Sequence, residues 1–146
     1  MTARSTIPIV VTRRFDQPAE RVFDAWLDVE TARRWMFAAP NGRIVKAEID
    51  PRVQGHWTIV DRRDGNDATH LGEYLEIDRP RRIVFTFAVD KHQRATADRV
   101  TIEIAPQRND CELTLTHDMD ERYGEFAERT ATGWKDMLEG LAKALD

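Results

Sequence analysis

The sequence predicts an α+β fold: a curved seven-stranded antiparallel sheet, two short helices after the first strand, and a long C-terminal helix packed across the sheet. Three observations predict it. The stretch from Arg14 to Trp26 reads as a strand that breaks into a capped helix. From Arg43 the apolar spacing changes from the roughly 3.6-residue period of a helix to the two-residue period of a strand, and keeps it through Asp118. From Phe126 apolar residues return at helical spacing to the end of the chain. A run of strands with its helices segregated to one face buries the apolar side of the sheet beneath them.

The elements follow in order. Ile7 to Phe15 is the first strand, with apolar residues in both phases. Asp16 or Gln17 is the expected cap of a helix that has Pro18 at its first position, Glu20 in its first turn, and Val22, Phe23 and Trp26 as its buried stripe. A second short helix, about Glu30 to Met36, follows the turn at Asp28, and Pro40-Asn41-Gly42 closes the region. Strands are expected over Arg43–Asp50, Gly55–Asp61, Thr69–Asp78, Arg82–Val89, Arg99–Ala105 and Cys111–Asp118, separated by turn-like segments and by the Asp90–Asp98 loop. Phe126, Thr130, Trp134, Met137, Leu138, Leu141 and Leu145 form one stripe on the last helix. Its first half, with Tyr123, Ala127, Thr130 and Ala131, is smaller and more polar. The second half is expected to pack on the sheet while the first leaves room.

Sliding each neighbouring strand pair until apolar residues meet pairs Ile49 with Trp57, Trp57 with Glu73, Ile59 with Leu71, Leu75 with Phe85, Phe87 with Ile102, Ile104 with Cys111, and Val100 with Leu115. One apolar face is then common to these strands. A one-residue slip would turn a strand's apolar set to water, so this agreement is informative. Thr58, Thr86, Thr101, Glu103, Glu112, Thr114 and Thr116 fall on the other face.

Composition bounds the function. The 146 residues suit one domain, expected over 7–146 behind a loose segment 1–6. The net charge of −4 disfavours nucleic-acid binding, which needs a basic face. The lone Cys111 allows no internal disulfide and alternates with Leu113 and Leu115 as a core residue. No apolar run approaches the roughly 20 residues of a membrane-spanning helix, and no signal peptide is visible, so a cytoplasmic location is the default expectation.

These stretches resemble the START/SRPBCC superfamily, the helix-grip fold, and within it the family of activators of the 90-kDa heat-shock protein's ATPase. The resemblance rests on Phe15-Asp16 with Pro18, on Val22-Phe23-Asp24-Ala25-Trp26, on Gly72-Glu73-Tyr74-Leu75-Glu76-Ile77 with Pro80, on Leu113-Thr114-Leu115-Thr116-His117, and on Gly133-Trp134. It covers nearly the whole chain in the family's order. The family often has two glycines entering the third strand; here the place reads Gln54-Gly55, which bears on local bulge geometry. The resemblance implies a hollow between sheet and terminal helix, and the family name carries a co-chaperone role.

The chemistry-bearing residues are few. Glu73, in phase with Leu71, Leu75 and Ile77, is expected to face inward among aromatics, as a ligand anchor, a general base, or a hydrogen-bonded structural residue. His117, in phase with Cys111, Leu113 and Leu115, is also expected inward, as a polar fixture or a satisfied core histidine. On a flat sheet the two are three strands and so roughly 14 Å apart, too far for a preformed acid–base dyad. His56 and His70 fall on the polar phase, and His92 in a charged loop. Metal-ligand spacing is absent and no cofactor is implied.

The expected reading is a binding domain for an apolar or amphipathic small molecule. Its wall would be Trp57, Leu71, Phe85, Phe87, Ile102 and Trp134, with Glu73 and His117 as polar fixtures and Trp35, Phe37 and Tyr123 at the mouth. An enzyme on the same scaffold, such as a cyclase, dehydratase or hydrolase, and a chaperone-stimulating interaction module are the alternatives. A homodimer is compatible with each.

Overall fold

A computed structural model describes residues 5–38, 41–89 and 97–146. Seven antiparallel strands, β1 (Thr6–Phe15), β2 (Gly42–Ile49), β3 (His56–Arg63), β4 (Asn66–Asp78), β5 (Arg82–Val89), β6 (Asp98–Gln107) and β7 (Asp110–Asp120), form one sheet in the order β1-β7-β6-β5-β4-β3-β2. Between β1 and β2 lie α1 (Ala19–Leu27) and the single turn α2 (Val29–Ala32). After β7 a 3₁₀ segment, Glu121–Phe126, leads into α3 (Ala127–Leu145). The fold is the helix-grip arrangement expected from the sequence.

α1 forms because Ala19, Val22, Phe23, Ala25 and Trp26 recur on one face, and all five are buried. Pro18 is its cap residue rather than its first helical residue: the Arg21 and Val22 amides donate to the Pro18 carbonyl, and no side chain caps the end. α2 is shorter than the expected Glu30–Met36 helix. The Asp28 carboxylate accepts from the Thr31 amide at 3.0 Å and starts the turn, but after Ala32 the chain continues in turns to Phe37, which has a left-handed φ of 55°. The Pro40 end of this region lies outside the described residues, as does His92.

The core lies between the concave face of the sheet and the helices, with Phe15, Phe23, Trp26, Ile59, Ile83, Ile102, Leu113, Leu115, Leu138 and Leu141 fully buried. Each such side chain contributes about 1.5–3 kcal/mol by leaving water. α3 grips the sheet through its C-terminal half: Trp134, Leu138, Leu141 and Leu145 are buried at spacings of four, three and four. Two polar ties fasten that half to the N-terminal elements, Arg13 to Glu139 at 2.9 Å and the Gln17 amide to the Leu145 carbonyl at 3.2 Å.

Strand pairing follows the sequence expectation at some ladders and departs at others. Ile49 pairs with Trp57 as expected. Across β6 and β7 the partners shift by two residues, Ile104 to Leu113 and Ile102 to Leu115, which preserves the inward face. Phe87 pairs with Asp98, and Ile102 with Ile83, so the Phe87–Ile102 pairing is corrected by an even step as well. β4 departs by an odd step. Trp57 pairs with Gly72 and Ile59 with His70, so the first half of β4 turns His70, Gly72 and Tyr74 inward and Leu71 and Glu73 outward. An irregularity between Tyr74 and Glu76 then inserts Leu75 as an extra, exposed residue, and Ile77 comes back into phase opposite Ile83.

Gly72 makes this geometry possible. A Cβ there would lie 1.7 Å from the Thr86 carbonyl oxygen and 2.7 Å from Trp57 Nε1. β4 therefore crosses β5 at a distance only glycine allows, and the Glu73 amide donates to Thr86 Oγ1 at 2.9 Å in place of a ladder bond.

Candidate functional site

The chain leaves β7 through the 3₁₀ segment with its own cap: the Asp120 carboxylate accepts from the Arg122 amide at 3.0 Å. Tyr123 has non-helical dihedrals (φ −105°, ψ 19°), so the segment and α3 do not form one straight rod. The stretch of α3 from Thr130 to Gly140 lines a chamber against the sheet. This chamber holds about 680 Å³ and is partly open to solvent. Small-molecule sites run from roughly 300 to 1,000 Å³.

Its inner wall is carried by the near-parallel rings of Phe37, His70 and Phe87, backed by Trp57 in the core. Phe37 stacks on His70 at 4.4 Å, on Phe87 at 5.3 Å and on Trp57 at 5.5 Å, with interplanar angles of 4–7°. Its position follows from the left-handed turn, which throws the ring back over the sheet, and its amide meets Met137 Sδ at 3.0 Å. Trp134 stands edge-on to Phe37 and Phe87 at 5.8 and 5.7 Å. Met119 and Met137 complete the apolar lining, while Tyr123 and Phe126, 47% and 40% exposed, stand at the opening beside Val89.

Three polar groups form a connected chain in this wall. Trp134 Nε1 donates to His117 Nδ1 at 3.0 Å, and His117 Nε2 lies 2.8 Å from Asp98 Oδ2. An indole N–H can only donate, so His117 Nδ1 carries the lone pair and Nε2–H donates to Asp98. Both ring nitrogens are thus committed. His70 differs. Its Nδ1 lies 3.3 Å from the Ile59 carbonyl, which can only accept, so Nδ1 carries the hydrogen. Burial pushes its pKa down to about 4, leaving the ring neutral with a lone pair on Nε2. No described group donates to that nitrogen, and it is not sealed from solvent-sized space.

The residues expected from the sequence separate into three groups. Phe87, His117 and Trp134, with Trp35, Phe37 and Tyr123, line the chamber. Of the three expected at the mouth, Tyr123 stands there. Trp35 is buried, edge-on to Trp26 at 4.7 Å, with its indole donating to the Ala25 carbonyl; Phe37 belongs to the inner ring set. Trp57, Phe85 and Ile102 are packed core. Trp57 and Phe85 border a separate gap of about 10 Å³ with Trp26, Met36, Tyr74 and Ile83. Leu71 and Glu73 lie on the other face of β4: Leu71 pairs with Ala88 and Thr58, and Glu73 with exposed His56. The expected inward Glu73 is corrected because β4 pairs one residue out of the phase that Leu71, Leu75 and Ile77 suggest. The same step brings in His70, which the sequence reading placed outside. The inward phase was marked by Gly72 and Tyr74, two and four residues after His70.

Among the described residues no group of three or more His, Cys, Asp or Glu side chains could hold a metal ion, and no helix is long and apolar enough to cross a membrane. Cys111 is buried, and desolvation pushes its thiol up to about 11.

Comparison with known proteins agrees with this architecture. The family described as activator of Hsp90 ATPase homolog 1-like protein matches residues 16–146. Among curated proteins none matches the sequence. Solved structures similar to this chain include a protein from Chromobacterium violaceum, 26% identical over 94% of this chain and 96% of that one, with a TM-score of 0.80. A protein from Nitrosomonas europaea is 21% identical over 95% and 94%, with a TM-score of 0.81. The AHSA1-like protein from Aeromonas hydrophila is 18% identical over 95% and 92%, with a TM-score of 0.80.

Proposed function

This chain belongs to the activator of Hsp90 ATPase homolog 1-like family, and from that premise we propose that it binds an apolar or amphipathic small molecule in the chamber between the sheet and α3. The observation that carries the reading is the chamber's combination of size and lining. It holds about 680 Å³, and its inner wall is aromatic and thioether. The Trp134–His117–Asp98 chain meets its own polar needs, so such a wall favours an apolar guest without a cost in broken hydrogen bonds.

The residues that the sequence offered to an enzyme do not favour that reading. Glu73 lies on the opposite face, and His117 has both nitrogens engaged. The family description names an ATPase activator; for this chain, stimulation of a chaperone's ATPase rate is the competing outcome to measure beside ligand binding.

Thermal-shift titration with fatty acids, naphthalenes and flavonoid-like compounds tests the proposal. A ligand at a hundredfold excess over its Kd is expected to stabilise the fold by about 2.7 kcal/mol. Thr130→Trp, which fills the chamber from α3, is expected to remove that gain and leave the ligand-free chain folded. Absence of stabilisation across the panel, or a gain that survives Thr130→Trp unchanged, would sink the proposal.

A further inference from the structure

His70 narrows the ligand class. Its ring is 7% exposed and lines the chamber. Nδ1 is spent on the Ile59 carbonyl, and Nε2 faces no donor among the described residues. Water reaches this acceptor in the empty chamber, and a guest that displaces the water forfeits that hydrogen bond unless it brings a donor of its own. The rings around it set the guest's shape: Trp57, Phe37, Phe87 and His70 lie within 10° of parallel in the pairs they form, so a flat ring continuing the set meets offset faces.

The surrounding charges set the guest's ionic state. Charges of both signs line the chamber, Arg34 and Arg63 with Asp98 and Asp136, so an ion of either sign gains no net attraction from them. A carboxylate or a cation placed at the inner wall would give up its hydration there, and a carboxylate would also point its oxygens at the His70 lone pair. A neutral hydroxyl or N–H meets neither obstacle.

Resting on the chamber as a small-molecule site, we propose that it selects a neutral, flat, apolar molecule bearing an O–H or N–H donor, and that His70 Nε2 accepts that hydrogen. His70 is then the specificity-determining residue of the chamber, and the Asp98–His117–Trp134 chain is wall.

Three matched probes test this on the full chain at neutral pH by calorimetry: 2-naphthol, 2-methoxynaphthalene and 2-naphthoate. The naphthol is expected to bind about tenfold more tightly than the ether, the equivalent of one buried hydrogen bond, and more tightly than the carboxylate. In His70→Phe, which keeps a ring in the stack, naphthol and ether are expected to bind equally. The His70 Nε2 resonance in a ¹⁵N-labelled sample is expected to move on adding naphthol and stay in place with the ether. This measurement needs only the wild-type chain, so it decides the matter if the variant does not fold. Equal wild-type affinities for naphthol and ether, or a still Nε2 resonance, overturn the His70 assignment and leave the chamber reading standing. Binding by none of the three overturns both.

Discussion

Acidification should weaken this fold through one identifiable proton. Histidine ordinarily titrates at 6.5, and burial lowers His70 to about 4. As pH falls, the unfolded chain takes this proton first. Across the window from 6.5 down to 4 the unfolded state therefore binds more protons than the folded state, and stability declines with falling pH. The contribution is fully present above the upper limit and exhausted below the lower one. Its size is about 3 kcal/mol, from 1.36 kcal/mol per pH unit across that interval. For a domain of this length that is on the order of 10 °C in Tm. Asp24, Asp28 and Asp67 are each held below the ordinary carboxylate value of 3.8, by Arg79, Thr31 and Arg62 respectively, so their stabilisation is lost at lower pH. The assay is urea denaturation followed by tryptophan fluorescence at intervals across the window, for wild type and His70→Phe. The variant is expected to lose about 3 kcal/mol less than wild type between the two ends. Parallel profiles for the two proteins would refute the reasoning.

Three further outcomes are expected. Gly72→Ala places a Cβ against the Thr86 carbonyl at 1.7 Å, a backbone atom that cannot rotate away, and should cost at least about 3 kcal/mol in denaturant titration. Gln54 sits at φ 73° where the family often has glycine, so Gln54→Gly should relieve left-handed strain and raise stability by roughly 0.5–1 kcal/mol, read as a higher urea midpoint at unchanged slope. Trp134→Phe strips the donor from buried His117 Nδ1 and should cost about 1–3 kcal/mol; combining it with His117→Phe should cost less than the sum of the single changes in a double-mutant cycle.

The fold was legible because its signals repeat. Most strands after Arg43 keep a two-residue period, and α3 carries its stripe over the whole of its second half. Face assignments survived even where partners did not, since the two-residue shift between β6 and β7 keeps Ile102, Ile104, Leu113 and Leu115 inward. β4 was misread for a specific reason. Its C-terminal half pairs as expected, with Ile77 opposite Ile83. Extending that phase backward through Leu75 and Leu71 brought Glu73 inward, and a uniform alternation cannot represent the extra residue at Leu75. Gly72, whose missing side chain permits the crossing over β5, carried the information, but as an absence of atoms. His70 was lost with it. The Asp98–His117 contact was not readable from alternation, because it needs the β6–β7 register to within one residue pair: Asp98 lies diagonal to His117, whose paired residue is Val100. Phe37 depends on a left-handed turn that no periodicity announces.

α3 is clamped by Leu138, Leu141 and Leu145, whereas its span from Ala127 to Gly133 holds no buried residue. The chamber wall on this helix runs from Thr130 to Gly140 and interleaves with the clamp at Trp134 and Met137, but ahead of Trp134 the helix buries no side chain. Substitutions between Tyr123 and Gly133 can therefore reshape the chamber while the clamp keeps the chain folded. On the proposed reading, one scaffold diversifies its cargo by editing a few adjacent codons.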